Sequence, residues 1–195
     1  MKLILGSSSP RRLELLASIG IIPSKVCSPN ISEEINKKEL PKDYCKRIAL
    51  EKMASFKNDF NKDIIITADT IAYCGRRLVD KTSDRKVARD NLSLLSGRRH
   101  KVLSVICIKN HLNKIRTKAI TTSVQFKVLS KMDIDAYIES MEWKEVAGSY
   151  RIQGFAESFI KSINGSYSNV VGLPLYETKN LLLSAGLKCD WRDYF

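Results

Sequence analysis

The sequence predicts an α/β protein whose sheet contains at least one strand buried on both faces. Residues 64–66 are three consecutive isoleucines in an apolar run that reaches residue 73, a pattern typical of central strands. Near the N-terminus, the apolar residues 3–5 precede a polar loop and then apolar side chains at helical spacing over residues 13–19. Strands that alternate with helices in this way indicate the α/β class.

Three further elements are expected in the first half of the chain. Residues 21–26 are compatible with an extended segment. Pro41 and Asp43 open a helix, because Pro at the first helical position and an acid in the first turn both favour helix N-termini. A hairpin strand at residues 78–81 is expected to return Lys81 to the side of the buried strand.

The second half of the chain contains two long strands and three helices. Ser83 or Asp84 caps the first helix, which runs to Leu95 and ends at Gly97 because glycine readily adopts the left-handed conformation after a helix. No repeat or flexible linker interrupts the chain, so a single domain, 1–195, is expected. The two strands and the other two helices are expected at residues 102–109, 114–129, 133–140 and about 175–185.

Composition narrows the class of protein. The 195 residues carry a formal net charge of +12, which favours polyanionic partners, although abundant Lys, Ile and Asn also point to a genome bias. Five cysteines without a C-x-x-C pair or zinc spacing indicate a reducing compartment. His100 and His111 have no third ligand nearby and are expected to be structural or surface residues. Because no apolar run approaches the roughly 18 residues of a membrane span, a cytoplasmic protein without membrane contact is expected.

Residues 6–12 form the loop around which the candidate site is built. Ser9 followed by Pro10 is typical of a helix N-cap and a first helical residue. Arg11 and Arg12 then lie in the first turn, where the helix dipole favours acids, so we expect them to bind an anion rather than stabilise the helix. Backbone N–H groups, loop hydroxyls and two guanidinium groups together suit a phosphate. The alternative is an ordinary capped helix with two solvated arginines.

A carboxylate inside the apolar strand is the second candidate feature. Burial of Asp69 costs free energy unless the group is paired or functional, which favours a functional role over an Asp that caps a neighbouring loop. It is also expected near the carboxyl end of its strand, where α/β sheets bind ligands. Glu33 in a polar loop and Lys52 on a helix are, taken alone, ordinary surface charges. Gln153 beside Gly154 suits the edge of a planar ligand.

Eight short motifs follow one another along the chain: Ser7-x-Ser9-Pro10-Arg11-Arg12, Ile31-Ser32-Glu33, Leu50-Glu51-Lys52, Ala68-Asp69-Thr70, Asp80-Lys81, Leu95-Ser96-Gly97-Arg98, the run from Ala147 to Gly154, and Val170-Val171-Gly172-Leu173-Pro174. In this order and spacing, they resemble the Maf family of nucleoside triphosphate pyrophosphatases. The resemblance extends from residue 3 to about residue 186, which is nearly the whole chain.

The resemblance implies a mixed α/β fold with an elongated central sheet flanked by helices and a cleft between two lobes. It implies hydrolysis of a nucleoside triphosphate to the monophosphate and pyrophosphate, removing non-standard or excess nucleotides. A divalent cation, Mg²⁺ or Mn²⁺, and a homodimer are also implied. The Tyr-x-Ile-Gln-Gly version of the motif at residues 150–154 is similar to the branch that acts on dTTP and UTP.

Residue roles follow from the same resemblance. Asp69 is the expected catalytic base for the attacking water, and Glu33 is the expected metal ligand, with Asp69 sharing the metal. Arg12, Thr70 and Gln153 would also determine which nucleobase the substrate carries. The expected substrate-binding residues are Ser7, Ser9, Arg11, Arg12, Lys52, Thr70, Lys81 and Gln153.

Four positions depart from the family's pattern. Ser32, Asp80, Thr82 and Val146 stand where Asp, Gly, Pro and Lys are common, so reduced activity or altered metal use stays open. The rival hypothesis is a basic nucleic-acid-binding or cell-division regulatory protein with little catalytic activity. That hypothesis predicts clustered basic residues with stacking aromatics, which the sequence lacks, so nucleic acid is not expected as a partner.

Overall fold

The computed structural model describes residues 1–56, 60 and 62–188, and its elements confirm the α/β class. The strands are β1 (Leu3–Gly6), β2 (Lys25–Cys27), β3 (Ile64–Cys74), β4 (Arg77–Val79), β5 (Arg99–Lys109), β6 (Ile115–Phe126) and β7 (Ile160–Asn164). The helices are α1 (Pro10–Ala17), α2 (Pro41–Ala54), α3 (Arg85–Leu95), α4 (Lys131–Ser140), α5 (Tyr167–Val171) and α6 (Leu175–Ser184), with 3-10 turns at Ala147–Ser149 and Phe155–Phe159.

The seven strands form one mixed sheet in the order β2-β1-β3-β5-β6-β7, and β4 pairs with β3 outside this path. β1 runs parallel to both β2 and β3, whereas β3 with β4 and β6 with β7 are antiparallel pairs. The pairing of β1 with β3 joins Leu3 to Ile64 and ends with Gly6 opposite Thr67. A parallel pair of this kind requires a crossover through other elements, and the helices supply it.

The chain divides into two compact units. The first comprises Met1–Asp69, Ser104–Ile120 and the chain from Gly172 onward, and its core gathers apolar side chains of β1, β3, β5, α1 and α6. The three consecutive isoleucines, Ile64, Ile65 and Ile66, are fully buried, which confirms the prediction of a strand covered on both faces.

The second unit comprises Thr70–Leu103 and Thr121–Val171, and aromatic side chains fill its core. Phe126 lies edge-on to His100, Tyr150 and Phe159, with ring centroids 4.9–6.3 Å apart. The boundary between the units falls within β3, β5 and β6, so neither unit is a separate stretch of sequence. The single domain over residues 1–195 stays a prediction.

Most helix ends lie where local signals place them. α2 begins at Pro41, and α3 begins after Asp84, whose carboxylate accepts from the backbone N–H groups of Lys86 and Val87. Gly97 follows α3 in the left-handed conformation, with φ +68°. Among the described residues, no helix combines the length and apolar character that crossing a membrane requires.

Strand ends differ more from the predictions. The hairpin strand expected at residues 78–81 is β4, which ends at Val79, because the backbone N–H of Lys81 binds the carboxylate of Asp80 instead of continuing the ladder. β5 begins three residues earlier than expected, and β6 ends at Phe126 rather than at residue 129. The short helix α5 has no counterpart in the sequence prediction.

Candidate active site

The end of β1 approaches its neighbours so closely that its last residue, just before the loop to α1, has no room for a side chain. A Cβ atom on Gly6 would lie 2.7 Å from both the Phe56 ring and the Thr67 side chain. Ser9 adopts the extended backbone of an N-cap and precedes Pro10, as predicted, although its hydroxyl makes no capping hydrogen bond. Its backbone N–H instead donates to the Ser7 hydroxyl, 3.2 Å away. The loop is therefore held compactly before α1 begins.

Arg12 corrects the expectation that the first-turn arginines do not stabilise the fold. Its side chain is buried, with 9% exposed, and Nε donates to the carbonyl oxygen of Gly172 at 3.0 Å. Its Nη1 donates to the Ser7 hydroxyl at 3.1 Å. Burial lowers the pKa of Arg12, while the charges of Asp69 and Glu33 oppose that shift. Arg12 thus joins the two loops structurally, whatever further contact it makes with a ligand; Arg11 is half-buried.

Lys52 brings the two predicted carboxylates together. Its Nζ lies 2.7 Å from Asp69 Oδ1 and 2.8 Å from Glu33 Oε1. Both Lys52 and Asp69 are buried, with 7% and 6% exposed, whereas the Glu33 side chain is one-third exposed. The ordinary interpretation of Lys52 as a solvated cation is wrong, because this ammonium is buried and forms ion pairs with two carboxylates.

Asp69 lies in the middle of β3 rather than at its carboxyl end, which modifies the sequence prediction. Asp69 nevertheless lies two residues after Thr67, which is the last residue of β3 that pairs with β1. It is therefore at the edge of the sheet from which the loop after Gly6 departs. Thr67 and Asp69 both face α2: the Thr67 hydroxyl donates to the Ala49 carbonyl, and Asp69 binds Lys52. The end of the parallel pairing, and not the end of the strand, therefore places the carboxylate beside the loop.

The donor set around Lys52 fits a divalent cation. Asp69 and Glu33 already converge on a single positive charge, and carboxylate oxygens are the ligands preferred by hard cations such as Mg²⁺. Among the described residues, no group of three or more His, Cys, Asp or Glu side chains forms a complete metal cage. A cation held here would therefore need ligands beyond the two carboxylates, such as water or phosphate oxygens.

The other three predicted site residues belong to the second unit. Thr70 is half-buried in β3, and Lys81 is exposed two residues beyond the end of β4. Gln153 is exposed in the turn before the 3-10 segment that begins at Phe155. Gly154 lies beside the carboxylate of Glu142, which would have to move to admit a Cβ atom at this position.

A buried polar cluster that sequence reasoning missed holds the segment before Lys81. Asn91 Nδ2 donates to the Ser149 hydroxyl at 2.9 Å and to the Asp80 carbonyl at 3.3 Å. The Ser149 hydroxyl also donates to the Asp80 carbonyl at 3.4 Å. The sequence signal was available, since Asn91 is a polar residue on the otherwise apolar face of α3.

The first unit thus combines a compact loop before a helix N-terminus with a carboxylate pair and a buried cation. Loop N–H groups and cationic side chains suit an anionic ligand, and carboxylates suit proton transfer or cation binding. This combination favours chemistry on a polyanionic, metal-associated substrate over simple ligand storage.

Comparison with known proteins identifies a family and several proteins that this chain resembles. A family profile described as "Maf-like protein" matches residues 2–185. A nucleoside triphosphate pyrophosphatase of Ehrlichia chaffeensis is 47% identical over 180 residues, which cover 92% of this chain and 94% of the relative. A dTTP/UTP pyrophosphatase of Sphingopyxis alaskensis is 46% identical over 185 residues, or 95% and 97% of the two chains. A solved HAM1 protein of Coxiella burnetii aligns with 94% of this chain and 99% of its own at 13% identity, with a TM-score of 0.49.

Proposed function

The chain belongs to the Maf family, and we propose that it hydrolyses nucleoside triphosphates to nucleoside monophosphates and pyrophosphate. The observation that carries the proposal is the buried Lys52, which joins Asp69 and Glu33 beside the loop after β1. The names of the relatives, nucleoside triphosphate pyrophosphatase and dTTP/UTP pyrophosphatase, support the same reaction.

Attack of water on the α-phosphorus needs a base and charge neutralisation. Asp69 is the base: its carboxylate accepts a proton from the water, whose oxygen becomes bonded to the α-phosphorus as the bond to the bridging oxygen breaks. The pyrophosphate leaves with increased negative charge, which Arg11, Lys52 and Lys81 stabilise. Ser7 and Ser9 hold the phosphates from the loop, and buried Arg12 maintains that loop's shape.

Glu33 and Asp69 are the residues that would hold a divalent cation, Mg²⁺ or Mn²⁺. Such a cation, when bound, neutralises charge on phosphate oxygens. A nucleoside triphosphate also offers Lys52 new anionic partners, so Lys52 need not remain bound to both carboxylates when substrate is present.

The preferred substrates are dTTP and UTP. Thymine and uracil both present an acceptor at O4 and a donor at N3, and the Gln153 amide carries one donor and one acceptor that match this edge. Cytosine presents the reverse pair, and an unmatched pair costs about 1–3 kcal/mol, or roughly tenfold to a hundredfold in discrimination, once the bound base buries the Gln153 amide and holds it in one orientation. The exposure of Gln153 leaves its amide accessible to a base. Thr70 and Arg12 complete the proposed base selection.

A homodimer in the cytoplasm is part of the same proposal, whereas binding of nucleic acid is not favoured. A nucleic-acid-binding protein has no need for a buried ion pair between Lys52 and Asp69, and such pairs are costly to desolvate. The departures at Ser32, Asp80, Thr82 and Val146 leave the two carboxylates and Lys52 in place. Size-exclusion chromatography with light scattering tests the homodimer through a mass twice that of the chain.

A product-resolved hydrolysis screen tests the reaction. Purified protein is incubated with dTTP, UTP, CTP and the purine nucleotides in the presence of Mg²⁺ or Mn²⁺, in water enriched in heavy oxygen. We expect pyrophosphate as the inorganic product, the heavy oxygen in the nucleoside monophosphate, and the fastest turnover with dTTP and UTP. Release of orthophosphate, or heavy oxygen in the pyrophosphate, would exclude attack on the α-phosphorus. Faster turnover of purine nucleotides than of dTTP and UTP would show that Gln153 does not recognise the edge of the nucleobase.

A further inference from the structure

The segment that carries Glu33 has no regular secondary structure of its own. Residues 28–36 are neither helix nor strand, and Glu33 lies within them before α2 begins at Pro41. A carboxylate on such a segment has a defined position only if other elements bind its backbone. The position of Glu33 matters because its Oε1 lies 2.8 Å from Lys52 Nζ.

Two side chains of α2 bind the backbone of this segment at consecutive residues. The Tyr44 hydroxyl donates to the Glu33 carbonyl oxygen at 2.8 Å. Arg47 Nη2 donates to the Glu34 carbonyl oxygen at 2.9 Å. The Arg47 guanidinium also lies over the Tyr44 ring, 5.6 Å from its centroid, so the two donors support each other. The two bonds fix the backbone at and immediately after Glu33.

Arg47 is itself oriented by a second carboxylate. Its Nε and Nη2 each lie 2.7 Å from an oxygen of Glu39, a two-pronged contact that only a planar guanidinium makes. The hydrogen bonds from Arg47 lower the pKa of Glu39 to about 2. Glu39 Oε2 also accepts from the Asn36 backbone N–H at 3.0 Å, which closes the segment from its other end.

The same helix that binds the segment also supplies Lys52. Tyr44, Ile48 and Lys52 are spaced four residues apart, so they share one side of α2. The backbone of Glu33 is thus fixed by the first half of the helix, and its carboxylate is met by a cation from the second half. One rigid element therefore determines both ends of the contact between Glu33 and Lys52.

We infer that Tyr44 and Arg47 are positioning residues that hold Glu33 in place and thereby set how tightly the site binds its divalent cation. This inference rests on the proposed function only where it concerns the cation during turnover. Neither residue needs to contact substrate, because each acts through a backbone carbonyl of the Glu33 segment. Residues that orient a metal ligand typically contribute about 10–100-fold to metal affinity.

Hydrogen–deuterium exchange without any substrate tests the structural half. The variants are Tyr44→Phe, which removes one hydroxyl, and Arg47→Lys, which keeps the charge but loses the two-pronged contact. The matched control is Glu51→Gln, which removes another partner of Arg47, 3.2 Å from Nη1, that does not touch the segment. We expect faster exchange over residues 31–39 in both variants, with exchange across β1 and β3 unchanged and the control like the wild type.

Titration with Mn²⁺ tests the functional half. In Tyr44→Phe and Arg47→Lys, we expect the Mn²⁺ concentration for half-maximal pyrophosphate release to rise about tenfold or more, with a smaller change in the KM for nucleotide. Glu51→Gln should keep the wild-type requirement. If only cation binding is weakened, the Mn²⁺ requirement rises more than the KM for nucleotide. If the whole site is disrupted, both rise together.

Each outcome decides the inference. Unchanged exchange over residues 31–39 in both variants would overturn it, and so would faster exchange with an unchanged Mn²⁺ requirement. A parallel fall in melting temperature and kcat, with the Mn²⁺ requirement unaltered, would assign Tyr44 and Arg47 to stability alone. If the wild-type protein releases no pyrophosphate, the proposed function fails, and direct Mn²⁺ binding measured by electron paramagnetic resonance then replaces turnover as the readout of the same variants.

Discussion

At the scale of single residues, the contact between Lys52 and Asp69 is both the centre of the proposed site and a buried charge pair. Lys52 keeps Glu33 as a second partner, so loss of the Asp69 charge does not leave the ammonium alone. A change that preserves the shape of Asp69 therefore tests chemistry more than folding.

We expect Asp69→Asn to remain folded and to lose about 10²–10⁴ in turnover, because an amide keeps the shape of the side chain but accepts no proton. Pyrophosphate release and thermal unfolding measure the two effects. Asp63→Asn is the matched control, since Asp63 precedes the same strand and its carboxylate accepts from the backbone N–H of Lys2 rather than from Lys52. Wild-type turnover by folded Asp69→Asn would remove Asp69 from the mechanism.

Alanine variants of the two first-turn arginines should differ in their free energy of unfolding. Arg12→Ala removes two buried hydrogen bonds, to the Gly172 carbonyl and to the Ser7 hydroxyl, a loss that typically costs about 1–3 kcal/mol. Arg11→Ala should cost less, because Arg11 is half-buried and opposes the helix dipole. Urea unfolding checks the difference, and equal stability of the two variants would show that the contacts of Arg12 contribute nothing to the fold.

His100 should make the stability of the protein fall in mild acid. Burial lowers its pKa from 6.5 to about 4, and its Nε2 lies 2.9 Å from the Tyr150 hydroxyl. Between these two values the unfolded chain binds the proton more readily than the folded protein. The free energy of unfolding therefore declines as pH falls from about 6.5 to about 4, by roughly 3 kcal/mol in total.

Urea unfolding of wild type and His100→Gln at neutral and mildly acidic pH measures this contribution. The difference in pH dependence between the two proteins isolates His100 from the carboxylates, which titrate in both. His111→Gln, the same substitution at an exposed position, controls for the change of side chain. Identical pH dependence of wild type and His100→Gln would mean that burial does not suppress protonation of His100.

At the scale of elements, the 3-10 turn Ala147–Ser149 shapes the segment that precedes Gln153. Gly148 has φ +79° and Ser149 has φ +54°, so two consecutive residues adopt the left-handed conformation. Ser149 accepts from Asn91, which connects this turn to α3 and to the Asp80 carbonyl. The turn therefore places the Gln153 segment relative to the Lys81 segment within the second unit.

Gly148→Ala should destabilise the protein more than Gly75→Ala. Both glycines are left-handed, which costs a Cβ-bearing residue roughly 1–2 kcal/mol. Only at Gly148 would the new Cβ also meet other atoms, at 2.9 Å from Ala72 and 3.0 Å from the Tyr150 ring, whereas it meets nothing within 4 Å at Gly75. Thermal unfolding of both variants measures the difference, and equal losses would mean that the turn relaxes away from β3.

At the scale of the whole molecule, the net charge of +12 should attract a triphosphate substrate over distances longer than any single contact. Salt screens such attraction, with a Debye length of about 10 Å at 0.1 M. We expect kcat/KM to fall as KCl rises from about 0.05 to about 0.5 M, mainly through KM. Urea unfolding at both KCl concentrations controls for stability. A KM that does not change with salt would mean that the net charge of the protein does not attract the substrate.

The amino-acid sequence was sufficient for features that depend on neighbours along the chain. The N-terminus of α2 at Pro41, the cap at Asp84 and the left-handed Gly97 all follow from backbone preferences of one or two residues. Burial of residues 64–66 follows equally from an uninterrupted apolar run. The family, and with it the proposed reaction, was accessible because short motifs occur in a recognisable order along one chain.

The tertiary structure decided which charged side chains are buried and with which groups they pair. Lys52 and Asp69 are 17 residues apart, and Arg12 and Gly172 are 160 apart, so no local preference predicts either contact. The carbonyl that Asn91 reaches depends likewise on how α3 packs, because Asp80 lies 11 residues earlier in the chain. A charged side chain is solvated or buried according to what distant segments pack against it, and that packing depends on the fold as a whole.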